Sequence, residues 1–191
     1  MKKLKFKDIR NQKIECDDVS IFEALRSSST VVLDNYAINY FGYKITFGDL
    51  FKKIDSCARS LVGCGVRKGD VITVCMPNTP EAIIMIYAAN KIGAIVNLVH
   101  PLSSKEELKK TIIDTNSVFA LIINFNYEKV KSFINETNLF KVVIVSAGES
   151  MPSLLSLGYW FTNDIKINFL SDDLFIDYKN FILTKKNYSK N

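Results

Sequence analysis

Hydrophobic and polar positions follow two different rhythms along this chain, and the switches between them divide it into short elements. Ser20-Ile21-Phe22-Glu23 has the form of a capping box and predicts a short helix that runs out in Ser27, Ser28 and Ser29. Thr30 to Leu33 reads as a strand, and the Tyr-rich stretch around Gly42, up to Ile45, as a second strand after a turn. Thr46, with Asp49 three residues on, opens a longer helix. In it Phe47, Leu50, Phe51, Ile54, Cys57, Ala58 and Leu61 recur at three- and four-residue steps, while Lys52, Lys53, Asp55, Arg59 and Ser60 take the other face. Gly63 and Gly65 end it, as glycines do at helix C-termini.

After the charged turn Val66-Arg67-Lys68-Gly69-Asp70, the β-branched run from Val71 to Met76 predicts a strand that Pro77 stops. Thr79-Pro80-Glu81 supplies a hydroxyl cap, a proline at the first helical position and an acid in the first turn. The helix it opens, up to Lys91, is apolar nearly all round, which predicts burial on more than one side. Gly93 breaks it, Ala94 to Val99 is a strand ended by Pro101, and Ser104 with Glu107 caps a helix ending near Thr115. Phe119 to Ile123 and Lys141 to Val145 are continuous apolar runs, the mark of parallel strands covered on both faces, with a helix from Asn126 to Asn135 between them. Two further helices are expected at Pro152 to Phe161 and Asp172 to Ile182. Strands alternating with helices predict an α/β fold: three αβα layers around an open, mostly parallel sheet.

Composition sharpens this only in places. With 191 residues, 48% hydrophobic and 24% charged, the chain has a globular profile that excludes disorder. Its longest apolar run, Ala82 to Ala89, is far short of the roughly 20 residues a spanning helix needs, so no membrane span is expected. The net charge of +5 is carried by one arm: residues 1–13 hold Lys2, Lys3, Lys5, Lys7, Arg10 and Lys13 against Asp8. A nucleic-acid binder spreads its cations over a folded face. Residues 1–19 are therefore expected to be a solvated arm and lead-in, with no nucleic-acid partner, and no apolar stretch behind the arm makes a secretory signal. Cys16, Cys57, Cys64 and Cys75 form no CxxC pair, and a reducing, cytoplasmic setting is expected. Tyr36, Tyr40 and Tyr43 read as half-buried strand residues rather than a base-stacking patch, and Met76, Met85 and Met151 as core filler. Tyr159-Trp160-Phe161 is the candidate for an exposed apolar patch.

The residues themselves display no catalytic constellation. There is no GxxxxGK[ST] phosphate loop. Gly63, Gly65 and Gly69 follow a helix and precede a strand, the reverse of a dinucleotide fingerprint. His100 is the single histidine, which excludes centres built on two, and no GxSxG elbow offers a nucleophile.

Four stretches in order do carry a resemblance. Ile45-Thr46-Phe47-Gly48-Asp49-Leu50 resembles the opening core motif of the adenylate-forming (AMP-binding) enzymes, in the acyl-CoA synthetase branch. The likeness continues through Gly65-Val66-Arg67-Lys68-Gly69-Asp70, Met76-Pro77-Asn78-Thr79-Pro80-Glu81 and Lys91-Ile92-Gly93-Ala94-Ile95-Val96-Asn97, with Pro101 beyond. It covers roughly residues 20–125. The Asn97–Pro101 stretch and the short step to Ser103-Ser104-Lys105-Glu106-Glu107 resemble CoA ligases more than peptide-synthetase domains.

The resemblance implies that residues 20–191 are the first α/β subdomain of an AMP-dependent synthetase. It also implies a chemistry in which a carboxylate attacks the α-phosphate of ATP and the acyl group then passes to CoA. Arg67, Lys68 and Asp70 are expected to be structural. The family's phosphate loop with its Lys, the Thr-Glu pair near adenine and Mg²⁺, the ribose-binding Asp and the C-terminal-domain Lys have no counterpart in these 191 residues. The chain alone is therefore expected to make no acyl-adenylate and to hold none of ATP, Mg²⁺ or CoA tightly; the remainder of the synthetase or a second chain is the implied partner. His100, Pro101 and Leu102 follow a strand at its carboxyl end, where open parallel sheets bind ligands. In acetyl-CoA-synthetase-like relatives that loop meets the nucleotide end of CoA, which makes these three the cofactor-binding candidates. On the residues alone His100 stays a loop histidine and Pro101 a strand stop. The alternative is a free-standing, non-catalytic α/β module that binds a partner or completes a split synthetase.

Overall fold

The structure, a computed structural model, describes residues 19–146 and 173–184. Its order is α1 (Ile21–Ser28), β1 (Tyr36–Tyr40), β2 (Tyr43–Thr46), α2 (Phe47–Cys64), β3 (Val71–Cys75), α3 (Pro80–Lys91), β4 (Ile95–Val99) and α4 (Lys105–Asp114). There follow β5 (Phe119–Ile123), α5 (Tyr127–Lys131), β6 (Lys141–Val145), β7 (Phe175–Asp177) and α6 (Tyr178–Leu183). The strands β4-β3-β5-β6-β7 form one sheet, parallel throughout, and β1 and β2 form a separate antiparallel hairpin.

The strand order dictates the layers. From β3 the chain crosses one way to β4, then back past β3 to β5, and onward to β6. Crossovers of parallel strands share one hand, so two that run in opposite directions must put their helices on opposite faces. The two hydrophobic clusters agree. On one face Ile72, Val74, Phe119, Leu121, Ile123, Val143 and Val145 meet α1, α2, α3 and Phe181 of α6. On the other, Cys75, Ala120, Ile122, Val142 and Ile144 meet Leu108 and Ile112 of α4 and Val130 of α5. Every residue of β5 is buried, because this strand has a neighbour on each edge and helices on each face. This is the expected three-layer α/β architecture.

Local signals place the helices. Ser20 and Glu23 make the reciprocal capping box, and Thr46, Thr79 and Ser104 each accept the backbone N–H three residues on. Gly65 ends α2 at φ +105°, a left-handed conformation that favours glycine, while Gly63 lies inside the helix. The Phe22 N–H, one of the orphan donors of α1, donates to Asn90 Oδ1 of α3 at 2.9 Å. Behind α4, Asn97 donates to Thr73 Oγ1 at 3.1 Å, Thr73 pairs with Ser117 at 2.8 Å and Ser117 with Thr115 at 2.7 Å, so a buried polar chain pins this helix end to the sheet.

Several sequence expectations need correction. Thr30 to Leu33 is turn rather than strand; its backbone closes on itself through Val32 N–H to Ser29 C=O at 3.1 Å. The Tyr-rich stretch is a two-stranded hairpin turning at Phe41-Gly42, with Tyr36 62% and Tyr43 37% exposed and only Tyr40 half-buried. Lys44 covers the Tyr36 ring at 4.7 Å. Ser60, assigned to the solvent face of α2, is fully buried because α6 lies over it, and its hydroxyl donates to Ile182 C=O at 3.3 Å. The helix at Asn126 to Asn135 is broken into a 3₁₀ turn, α5 and a second 3₁₀ turn. Asp172 to Ile182 contains a strand, β7, before its helix: Phe175 is drawn onto the open edge of β6, where the sheet supplies pairing that local propensity does not reveal. Met76 and Met85 are core residues as expected; Met151, the arm over 1–18, Pro152 to Phe161 and its Tyr159-Trp160-Phe161 patch lie outside the described residues.

Leu121→Ala would leave a cavity in the centre of the sheet and is expected to cost about 2–5 kcal/mol, read from the urea midpoint. The same substitution at Leu98, 65% exposed on the edge strand, is expected to stay within about 0.5 kcal/mol.

Candidate functional site at the carboxyl end of the sheet

Because the chain leaves β3 toward one side and β5 lies on the other, a crevice forms outside the carboxyl ends of these two strands, the place where open α/β sheets receive ligands. Three segments border it: Met76 to Thr79 after β3, His100 to Ser103 after β4, and Asn124 to Asn126 after β5. The His100 loop is held by its backbone. Ser103 N–H donates to His100 C=O at 3.0 Å, and Lys129 Nζ to Ser103 C=O at 2.7 Å. Asn126 Nδ2 donates to Pro101 C=O at 2.8 Å, and the Cys75 thiol reaches His100 C=O at 3.6 Å. Ser104, the next residue, caps α4.

With its backbone fixed, the loop turns two side chains outward. His100 accepts the Leu102 N–H on Nδ1 at 3.2 Å, which leaves Nε2 as the donor of the neutral ring. Leu102 is 73% exposed, while Pro101 is half-buried against Asn126. The loop thus offers a flat ring with one outward donor beside a bare apolar side chain, a combination suited to stacking on and edging a planar group. His100, Pro101 and Leu102 are contiguous and accessible, but Lys129, the nearby cation, is engaged on the loop's own carbonyl. Among the described residues no group of His, Cys, Asp and Glu is arranged to hold a metal ion.

Asn126 is the residue that sequence reading missed. It is fully buried, its amide bridges Pro101 and Cys75 Sγ, and its Oδ1 has no hydrogen-bond partner among the described residues. A buried unpaired acceptor is costly and unusual. The signal available was an amide three residues beyond a wholly apolar strand, where a hydrophobic run gives way to polar residues at a sheet's ligand end. Cys75 beside it is buried, and that burial pushes its thiol up to about 11, with Lys129 opposing; Cys57 is raised further and half-buried Cys64 is also raised, each chiefly by desolvation. Cys57 and Cys75 are thus core thiols rather than nucleophiles. Cys16 lies outside the described residues. Around the same end, on the opposite face, the hairpin, α2, α3 and α6 border a half-open cavity of about 230 Å³ lined by residues that include Tyr43, Ile45, Lys52, Ile84, Tyr178 and Ile182.

Comparisons with known proteins place this geometry. The family model described as AMP-binding enzyme matches residues 25–158. The chain is 31% identical over 128 residues to acetyl-coenzyme A synthetase 2 of Saccharomyces cerevisiae, covering 61% of this chain and 19% of that protein. It is 26% identical over 144 residues to a long-chain-fatty-acid–CoA ligase of Bacillus subtilis, covering 75% of this chain and 26% of that one. The coronafacic acid ligase of Pectobacterium brasiliense superposes with a TM-score of 0.71 at 22% identity, over 91% of this chain and 31% of the ligase, a likeness of fold. The chain therefore spans about a fifth to a quarter of the length of these two sequence relatives.

Removing the Asn126 bridge with Asn126→Ala is expected to cost about 1–3 kcal/mol in urea unfolding, and Asn126→Asp more, since a carboxylate would face the Pro101 carbonyl. Native thiol labelling at pH 8 is expected to spare Cys57 and Cys75 and to reach both once the chain is unfolded. Cys75 ionises near 8.5 when unfolded and at a higher pH when folded. Its contribution to stability is therefore whole below about pH 8.5 and lost as pH rises through about 11.

Proposed function

Because the chain belongs to the AMP-binding enzyme family, we propose that it is the N-terminal subdomain of an ATP-dependent acyl-CoA synthetase, working with the remainder of the enzyme. The observation that carries this reading is the match over residues 25–158, with relatives of several times this length that are named as acetyl-CoA synthetase and fatty-acid–CoA ligase. The overall reaction joins a carboxylic acid to CoA through an acyl-adenylate, with ATP as the activating nucleotide and Mg²⁺ as its cation.

What this chain contributes is scaffold and one loop. Stabilising a pentavalent phosphate takes cations and backbone donors already aimed at the developing charge. At the carboxyl end of this sheet Lys129 is committed to Ser103, and Lys52, at the rim of the cavity, to Asp49 at 3.0 Å. The chain by itself is proposed to be catalytically silent and to hold ATP, Mg²⁺ and CoA only weakly, with residues 20–191 as one subdomain behind a basic lead-in and a cytoplasmic location. His100, Pro101 and Leu102 are proposed to meet the nucleotide end of CoA: the imidazole plane stacks on the base and Leu102 covers its edge, while Asn126 positions the loop through Pro101.

Reading the native gene past codon 191 tests the first part: a frame continuing into a Gly/Ser/Thr-rich loop followed by Lys is expected. A stop codon there would transfer the chain to the alternative, a module acting through a separate partner. In the complete enzyme His100→Ala is expected to raise the KM for CoA roughly tenfold, the loss of one stacking contact, with the KM for ATP unchanged. An unchanged KM for CoA would remove the loop from the site.

A further inference from the structure

A second cleft lies at the opposite end of the sheet. It is bounded by the last turn of α1, the second half of α2 and the C-terminus of α3; α2 and α3 lead into β3 and β4 at their amino ends. Its volume is about 440 Å³, within the usual range of small-molecule sites, and Arg26, Asp55, Arg59, Lys91, Val62 and Ile92 line it with Ala58. Three cations from three different helices and one carboxylate line it. Lys91 is already neutralised by Asp55 and also stands over the Phe22 ring at 4.8 Å. Arg26 and Arg59 have no carboxylate partner among the described residues.

Part of this charge has a structural explanation: Arg26 and Lys91 occupy the last turns of α1 and α3, where cations answer the helix dipole. Arg59, in the middle of α2, has no such role. Two unpaired guanidiniums facing one cleft present forks matched to the oxygens of a phosphate, whereas lysines would offer only point charges. The excess of two positive charges equals the charge of a phosphate monoester. Ala58, Val62 and Ile92 provide an apolar floor that an inorganic ion would leave bare.

We propose that this cleft is an anion site for a phosphate monoester carrying a small apolar or aromatic group, with Arg26 and Arg59 gripping the phosphate and Ala58, Val62 and Ile92 receiving the organic part. It stands apart from the carboxyl-end crevice and does not depend on the synthetase reading. The site joins α1, α2 and α3, so an occupant would tie together the helices that cover one face of the sheet.

Phenyl phosphate is the probe, titrated into the full chain by calorimetry at fixed ionic strength, with inorganic phosphate and phenol as the two halves. Saturable binding of phenyl phosphate, tighter than either half, is expected, weakened roughly tenfold by Arg26→Ala and by Arg59→Ala. Lys44→Ala, on the hairpin at the other end, and His100→Ala are expected to leave it unchanged. Both arginines are exposed, so each variant is expected to keep the parent's urea midpoint, which confirms that lost binding is not lost folding. Absence of saturation, equal binding by the arginine variants, or equal loss in Lys44→Ala would overturn the site. Inorganic phosphate binding as tightly as phenyl phosphate would overturn the role of the apolar floor.

Discussion

The burial of β5 on both faces is the constraint from which the rest of the structure follows. A wholly apolar strand of five residues, Phe119 to Ile123, must be paired on both edges and covered above and below. Pairing with β3 and β6 supplies the edges. Phe119, Leu121 and Ile123 then face α2, α3 and α6, while Ala120 and Ile122 face α4 and α5. Since β3 is the strand on which the order reverses, meeting this demand also opens the crevice at the β3/β5 carboxyl ends. Fold and candidate site are two results of one packing requirement.

Against this background the legible and illegible parts of the sequence separate cleanly. Where local chemistry and burial point the same way, residues announce their structure. Thr79-Pro80-Glu81 starts α3 within three residues, Gly65 ends α2, and the two continuous apolar runs coincide with β5 and β6. Where tertiary contact decides, they do not. Ser60 looks solvent-facing by helical period and is buried by a helix 122 residues away in sequence. Thr30 to Leu33 has strand composition but pairs with no strand among the described residues, and it closes as turns. The short β7 exists because β6 presents an edge, which no local pattern encodes.

The site divides in the same manner. His100, Pro101 and Leu102 were visible through a strand ending in proline and through family resemblance, and the structure brings them together on an outward loop. Asn126 was invisible because its importance is relational: it lies 25 residues from Pro101 and 51 from Cys75, and its buried amide acquires meaning only when β3, β4 and β5 are side by side. The cationic cleft was equally hidden, since Arg26, Arg59 and Lys91 stand on three helices and each reads singly as a solvated surface residue.

On the proposal built on family membership, the chain is a scaffold with one ligand-facing loop that leaves the phosphoryl chemistry to other residues of the synthetase. The measurement that tests this most directly is acid-dependent pyrophosphate release by the isolated 191-residue chain, supplied with ATP, Mg²⁺, CoA and a panel of fatty and aromatic acids. The account predicts release no greater than from a heat-inactivated sample with every acid. Turnover above that background with any acid would contradict it, and would mean that these residues contain an adenylating centre of their own.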